Sequence, residues 1–128
     1  MKVQDHSKTI LVVDDDASTL KLLSTALSNN GFEVLEASCG YEGISTLADN
    51  PVDLVITDWK MPNMSGLNLL QNIREKQELR HLPVLMVSAS ESPAAIKRAY
   101  ELGIYYWLKK PFGFNMLFRV IDDALKEN

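Results

Sequence analysis

The sequence predicts an α/β protein, with a parallel sheet of five strands covered by helices on both faces. Two observations support this fold class. Short apolar runs rich in β-branched residues alternate five times with longer segments whose apolar residues recur at helical spacing. The runs are nearly continuous in apolar character, as expected of strands that are buried on both faces. Such alternation implies parallel strands joined by right-handed helical crossovers, a (βα)5 chain.

The first part of the chain holds two strand–helix units. Residues 9–13 form an apolar run and are the first predicted strand. Residues 18–30 follow as a helix, because Gly31 is a stop signal and one stripe is apolar, at Leu20, Leu23 and Leu27. The second strand is predicted at 32–35. The second helix is predicted at 41–49, with inward residues at Ile44, Leu47 and Ala48.

Three further units complete the chain. The remaining strands are apolar runs of the same kind, at 54–57, 83–88 and 104–108. The remaining helices have apolar residues at helical spacing, at 66–76, 93–102 and 113–126. Pro93 suits the first turn of its helix, and Gly103 suits the end. Five strands do not close an eight-stranded barrel, so the predicted sheet is open, doubly wound and flavodoxin-like, with strand order 2-1-3-4-5.

The composition fits one compact domain. The chain has 128 residues, of which 46% are apolar, and a formal charge of −4 with a pI of about 5.1. This acidic balance argues against non-specific binding to nucleic acid or to an anionic membrane, and no apolar run reaches the ~20 residues of a membrane span. We predict a flexible N-terminal tail at 1–8 and one domain at 9–127. A single cysteine, Cys39, excludes an internal disulfide and favours the cytoplasm.

Acidic residues follow two strands that are neighbours in this strand order. Asp14 and Asp15 follow the first strand, and Asp58 follows the third. The carboxyl ends of parallel strands meet at one edge, where open α/β sheets hold ligands, so the three carboxylates should face one another. Hard oxygen ligands of this kind favour Mg²⁺. In the alternative interpretation, Asp16 caps the next helix and the other acids are solvated turn residues.

Three strand ends offer groups for phosphoryl chemistry. Asp58 is the candidate nucleophile, because a carboxylate can attack phosphorus and form an acyl phosphate. Ser88 ends the fourth strand and offers a hydroxyl to a phosphoryl oxygen, although a serine there can also serve as the entry to the next helix. Lys110 ends the fifth strand and offers an ammonium group, whereas we expect Lys109 to be solvated. Pro111 holds the residue before it extended and permits a cis peptide bond.

These motifs, in order along the chain, resemble the response-regulator receiver domains of two-component signalling, and the stretches 57–67 and 82–88 resemble the single-domain chemotaxis regulators within that family. The resemblance covers nearly the whole sequence. Its motifs lie after the first, third, fourth and fifth strands, and are Asp14-Asp15, Asp58 with Met61-Pro62 and Gly66, Ser88-Ala89, and Lys110-Pro111-Phe112.

The resemblance implies a phosphorylation-activated switch. Asp58 would accept a phosphoryl group from a histidine kinase or a phosphotransfer protein, with Mg²⁺ as the cofactor. Asp15 would bind the metal directly, Asp14 largely through water, and the backbone carbonyl of Lys60 would be a third protein ligand. The only catalysis expected is self-phosphorylation from a phosphodonor and self-dephosphorylation, so the chain is not expected to be an enzyme.

The resemblance also implies a route to the partner. Ser88 and Lys110 would bind the phosphoryl oxygens. Movement of Ser88 would then let Trp107 turn inward and reshape the face formed by the fourth helix, the fifth strand and the fifth helix. A downstream protein would bind there. The chain itself would be a monomer or a phosphorylation-dependent dimer, and it would make no direct contact with nucleic acid or membrane. The aromatic and cationic residues on this side, Tyr100, Tyr105, Trp107 and Lys109, have two interpretations: an exposed patch that anchors a partner, or ordinary packing at the edge of the sheet.

The chain departs from the family pattern at several positions. Ser88 replaces the commoner threonine, Trp107 replaces the usual tyrosine or phenylalanine, and residues 104–106 are bulkier than usual. Three alternatives stand beside the switch: a receiver cut from a larger transcriptional or enzymatic regulator or a hybrid kinase, a phosphorylation-independent interaction domain, and a Mg²⁺ phosphohydrolase that acts on external substrates. The last would need a second acid two residues after the nucleophile, where this chain has Lys60.

Overall fold

A computed structural model describes residues 8–126, and within this range five parallel strands alternate with five α-helices. The strands are β1 Thr9–Val13, β2 Glu33–Ala37, β3 Leu54–Thr57, β4 Val84–Ser88 and β5 Tyr106–Lys109. The helices are α1 Ala17–Asn29, α2 Gly40–Asp49, α3 Gly66–Glu75, α4 Pro93–Glu101 and α5 Phe114–Lys126. The strands lie in the order β2-β1-β3-β4-β5, which confirms the predicted fold.

The central strands agree with the prediction better than the edge strands do. β1 and β3 have the predicted bounds, and each is buried along nearly its whole length. β2 continues to Ala37, past the predicted end at residue 35. The prediction stopped early because Glu36, which is exposed on this edge strand, interrupts the apolar run without ending the strand. β5, the other edge strand, begins at Tyr106 rather than at 104. A short 3-10 helix at Gln77–Leu79 was not predicted.

Two apolar layers cover the sheet. The layer under α2, α3 and α4 includes Leu11, Val55 and Met86, whereas the layer under α1 and α5 includes Ile10, Ile56 and Leu85. Successive residues of each strand point to opposite faces, so both layers share the same strands. The central strands are thereby covered on both faces.

α2 packs closely on the sheet, and this corrects one predicted burial. Its buried residues are Gly40, Gly43 and Leu47, whereas Ala48 is exposed. A methyl group added to Gly43 would lie 3.2 Å from a methyl carbon of Val13, so the glycine permits the close approach. The buried face of α2 is therefore rotated toward its glycines. A prediction that counts only apolar residues does not identify glycines as buried.

Side chains and a proline mark the helix starts. Asp16 caps α1, because its carboxylate accepts a hydrogen bond from the Thr19 N–H at 3.1 Å, and the hydrogen bonds from Thr19 lower the pKa of Asp16. This confirms the capping alternative for Asp16. Ser65 begins α3 with a capping box, and Pro93 occupies the first turn of α4 as predicted.

One half-buried arginine, Arg74, joins the loop before β4 to the loop after α4, at the amino-terminal edge of the sheet. The Arg74 guanidinium donates to the carbonyl of Leu82 at 2.8 Å, of Leu102 at 2.8 Å and of Gly103 at 2.9 Å, and more weakly to Leu79 at 3.4 Å. Burial lowers its pKa. The end of α3 is thus tied to the segment before β4 and to the end of α4.

Two boundary predictions touch residues outside the described range. The predicted tail at 1–8 lies outside it apart from Lys8, and Glu127 of the predicted domain also lies outside it. Among the helices within residues 8–126, none has the length and apolar character needed to cross a membrane.

Candidate functional site

The backbone ladder continues one residue beyond the strands and positions the polar side chains at the carboxyl edge. The Asp14 N–H donates to the last carbonyl of β2 at 3.1 Å, and the Asp58 N–H donates to the last carbonyl of β1 at 3.0 Å. On the other side, the Lys110 N–H donates to the Ser88 carbonyl at 2.9 Å. The side chains therefore leave a fixed frame at neighbouring strand ends.

The three predicted acids lie together. One carboxylate oxygen from each of Asp14, Asp15 and Asp58 lies within 4.8 Å of the other two. Asp14 is buried and Asp58 is largely buried, with 1% and 15% of their side chains exposed, whereas Asp15 is exposed. A partly buried set of hard oxygen donors that opens to solvent on one side fits Mg²⁺, which keeps several water ligands.

Lys110 is the ammonium group that faces these acids. Its Nζ lies 3.4 Å from Asp14 Oδ2 and 3.9 Å from Asp58 Oδ2. One ammonium beside three carboxylates leaves a negative balance, which favours a further cation. The Lys110–Pro111 peptide bond is cis, the isomer that the sequence permits. Lys109 is exposed as expected, and it pairs with Glu91 at 3.6 Å.

The environment of Asp58 raises its pKa above the ordinary value. Burial and the charge of Asp14 raise the pKa of Asp58, whereas the ammonium of Lys110 lowers it. Hydrogen bonds from the Trp59 N–H and the Ser88 side chain also lower it. The Trp59 N–H lies 2.7 Å from Asp58 Oδ1, whereas Lys110 faces Oδ2, so the two carboxylate oxygens have different partners.

Ser88 lies at the end of β4, and its interpretation as the entry to α4 is wrong. The side chain is buried, and its Oγ accepts a hydrogen bond from the Ser90 N–H at 3.2 Å. Ser92 is the residue that caps α4, by accepting from the Ala95 N–H at 3.0 Å. The hydroxyl of Ser88 therefore stays at the sheet edge, beside Asp58.

Trp107 differs from the expectation of an inward turn, because it is already buried. Only 7% of the residue is exposed, and the indole packs in the layer under α2, α3 and α4. The interpretation as an exposed patch is therefore wrong in part. Tyr100 and Lys109 are exposed, but Tyr105 is half-buried, and Tyr106 supplies the exposed aromatic of β5. Alternation along the strand places Tyr106 and Trp107 on opposite faces.

A contact between the two tryptophans was not predicted. The rings of Trp59 and Trp107 meet edge to face, with 5.5 Å between centroids and 63° between planes. Thr57, Met86 and Trp107 are neighbours across β3, β4 and β5, and Trp59 comes two residues after Thr57. This register would have indicated the contact. Lys60 lies on Trp59, with its Nζ 5.0 Å from the ring centroid.

Comparisons with known proteins agree with this geometry. The family model of the response regulator receiver domain matches residues 10–122. Chemotaxis protein CheY-3 of Vibrio cholerae is 39% identical over 111 residues, which cover 86% of this chain and 85% of the relative. A crystal structure of a CheY-like receiver domain protein from Methanospirillum hungatei has a TM-score of 0.89 and 28% identity, with 94% of each chain covered.

Similar sequences occur in a longer relative, and similar structures occur in other chemotaxis proteins. Transcriptional regulatory protein GlrR of Escherichia coli is 37% identical over 119 residues, which are 93% of this chain but only 26% of that protein. Vibrio cholerae chemotaxis protein CheY4 superposes with a TM-score of 0.87 at 29% identity, and 92% of this chain and 98% of that chain are covered. The chain therefore belongs to the response regulator receiver domains, and it is a phosphorylation-activated switch of two-component signalling.

Proposed function

We propose that Asp58 is the phosphoacceptor of this switch. A carboxylate oxygen of Asp58 attacks the phosphorus of a phosphohistidine on a histidine kinase or phosphotransfer protein. The O–P bond forms as the N–P bond breaks, and the donor imidazole leaves with the electron pair of that bond. The observation that carries this proposal is the position of Asp58 between an ammonium 3.9 Å away and two further acids within 4.8 Å.

Asp14, Asp15 and Asp58 are proposed to hold Mg²⁺, together with the backbone carbonyl of Lys60. The metal, when bound, supplies positive charge that offsets the repulsion between the attacking carboxylate and the phosphoryl oxygens. Asp14 also orders its own loop, because its Oδ1 accepts a hydrogen bond from the Asp16 N–H at 2.9 Å. This bond fixes the orientation of the buried carboxylate before any cation arrives.

Lys110 and Ser88 are proposed to bind the phosphoryl oxygens. Phosphorylation adds roughly −1.5 to −2 charges and strong acceptor oxygens at the position that the Lys110 ammonium already faces. Lys110 lies 3.4 Å from Asp14, so a small rotation can exchange one anionic partner for another. Ser88 is buried beside Asp58, so its hydroxyl can donate a hydrogen bond to a phosphoryl oxygen without leaving the protein interior.

The proposed catalysis is confined to the chain's own phosphorylation and dephosphorylation. An enzyme that releases phosphate from external substrates needs an acid near the nucleophile to protonate the leaving group. The residue two positions after Asp58 is Lys60, whose ammonium lies on the Trp59 ring. This chemistry favours a switch over a phosphohydrolase.

We propose the following setting for the domain. Residues 9–127 form the receiver domain and 1–8 a flexible tail, in the cytoplasm. The face of α4, β5 and α5 binds a downstream protein, and exposed Tyr100 and Tyr106 are suited to such an interface. The domain itself binds no nucleic acid or membrane, and it acts as a monomer or as a phosphorylation-dependent dimer. The similarity to GlrR keeps the alternative that this receiver serves a larger regulator.

The test is incubation with acetyl phosphate and Mg²⁺, followed by intact mass measurement. A phosphate adduct on the parent chain that is absent from Asp58→Asn supports the proposal. Trp59 adjoins the site, so its fluorescence should respond to Mg²⁺ in the parent chain and respond less in Asp15→Asn. A parent chain without any adduct under conditions that label another receiver domain would contradict the assignment of Asp58.

A further inference from the structure

We infer that Thr57 is a positioning residue, which fixes the orientation of the Asp58 carboxylate through the peptide unit that joins Asp58 to Trp59. The inference rests on the proposed function, because it takes Asp58 as the phosphoacceptor. Its structural basis is a pair of hydrogen bonds at opposite ends of that one peptide unit.

Thr57 places a hydroxyl at the end of an otherwise apolar strand. It is the last residue of β3, after three aliphatic residues, and it is fully buried. Its neighbours across the sheet are Val13 of β1 and Met86 of β4, which are apolar as well. A hydroxyl in such surroundings disfavours the folded state unless it is hydrogen-bonded, so its partner shows where it contributes.

The partner of this hydroxyl is the backbone carbonyl of Asp58. Thr57 Oγ1 donates to the carbonyl oxygen at 3.0 Å. The N–H of the same peptide unit belongs to Trp59, and it donates to Asp58 Oδ1 at 2.7 Å. A rotation of the peptide unit would therefore disturb both bonds together. Because hydrogen bonds in a chain strengthen one another, loss of the bond from Thr57 also weakens the bond to the carboxylate.

The next peptide unit along the chain is fixed by a different residue. The carbonyl of Trp59 accepts a hydrogen bond from the Gly66 N–H at 2.7 Å. This bond ties the loop to the start of α3, one peptide unit beyond the one that contacts the carboxylate. The Thr57 hydroxyl is well suited to its own bond, because branching at Cβ restricts rotation about χ1 and little conformational entropy is lost.

The consequence concerns the attacking carboxylate. With Oδ1 of Asp58 bound by the Trp59 N–H, Oδ2 is the oxygen that faces Lys110 Nζ, at 3.9 Å. A reacting group that is held in one orientation reacts faster than a group that must first reach it. We therefore expect loss of the Thr57 hydroxyl to slow phosphorylation by about 2- to 12-fold, the factor that one net hydrogen bond represents.

The first test needs no phosphorylation. Thr57→Val replaces the hydroxyl by a methyl group of similar shape, whereas Thr57→Ser keeps the hydroxyl. In ¹⁵N-labelled chains, the Trp59 backbone amide should exchange with deuterium about 2- to 12-fold faster in Thr57→Val than in the parent chain. Exchange should stay near the parent rate in Thr57→Ser and in Thr9→Val, which makes the same change at the amino-terminal edge of the sheet. Unchanged exchange in Thr57→Val, or an equal acceleration in Thr57→Ser, overturns the inference.

The second test follows adduct formation from acetyl phosphate and saturating Mg²⁺ by intact mass. The rate should fall about 2- to 12-fold in Thr57→Val and stay near the parent rate in Thr57→Ser and Thr9→Val. Both changes at Thr57 should lower the urea midpoint, one through the lost hydrogen bond and the other through the lost methyl group, so a purely structural role would slow both chains alike. The parent rate in Thr57→Val, or an equal loss in Thr57→Ser, overturns the inference. If no adduct forms on the parent chain, the proposed function fails, and the exchange test still decides whether Thr57 holds the peptide unit.

Discussion

Gly66→Ala tests whether the close packing of α3 against β3 positions the acceptor. A Cβ on Gly66 would lie 2.1 Å from the backbone carbonyl oxygen of Asp58 and 2.8 Å from Met86 Sδ. Real Cβ contacts essentially never fall under 3.0 Å, so the backbone of Asp58 and the start of α3 must separate by 0.9 Å, the difference between 3.0 and 2.1 Å. The Met86 side chain can move aside, whereas the Asp58 carbonyl belongs to the backbone next to the sheet.

Two consequences follow from this displacement. Overpacking of a well-packed site costs ~1–3 kcal/mol, which urea unfolding should show as a lower midpoint. A shift of nearly 1 Å at a reacting group also slows its chemistry by up to ~100-fold, which the rate of adduct formation from acetyl phosphate should show.

The matched control is Gly113→Ala, because a Cβ at Gly113 meets nothing within 4 Å. Its rate of phosphorylation should stay near that of the parent chain, and its unfolding midpoint should fall less than that of Gly66→Ala, because the change at Gly113 affects only the cap of α5. If Gly66→Ala behaved like this control in both assays, the packing of α3 would not position Asp58, and the reasoning from the 2.1 Å contact would be refuted.

Three further predictions use the same assays. Without divalent metal, Asp58→Asn should gain stability over the parent chain as pH rises. The raised pKa of Asp58 gives the parent chain stability that is fully present below the unfolded value of about 3.8 and is lost as pH rises through the folded pKa. Urea midpoints of the two chains that stay parallel with pH would contradict this. Arg74→Met should lose roughly 1–2 kcal/mol relative to Arg80→Met, because the part-buried carbonyls of Leu82 and Leu102 lose a charged donor, while the fluorescence response of Trp59 to Mg²⁺ stays unchanged. Ser65→Ala should lower the free energy of unfolding by ~1 kcal/mol through loss of the α3 cap, and an unchanged urea midpoint would show that the cap is dispensable.

The central part of the fold could be predicted because its strands are buried on both faces. β1 and β3 are unbroken apolar runs, and their bounds follow directly from the sequence. The edge strands could not be placed as well, because one long side of each faces solvent or loops and admits residues such as Glu36. Apolar continuity measures burial, and burial ends before pairing does at an edge.

The candidate site was predictable for a related reason. A side chain that follows a strand must lie at the sheet edge, so topology alone brings Asp14, Asp58 and Lys110 together. The burial of Trp107 depends instead on ring packing, which no strand-end rule describes. The contacts of Arg74 were equally hidden, because they join residues 28 and 29 positions apart in the chain through side-chain reach.

The arginine at the amino-terminal edge also determines how α4 can move. Arg74 holds the carbonyls of Leu102 and Gly103, so the C-terminal end of α4 is a fixed pivot. The helix has nine residues and a length of roughly 13 Å from that pivot to Pro93, near the end of β4. A rotation of about 10° around the pivot would displace the far end by roughly 2 Å and the pinned end hardly at all. A partner that senses such a rotation would therefore gain more from contacting the first turn of α4 than from contacting Tyr100, which lies near the pinned end and is suited to anchoring.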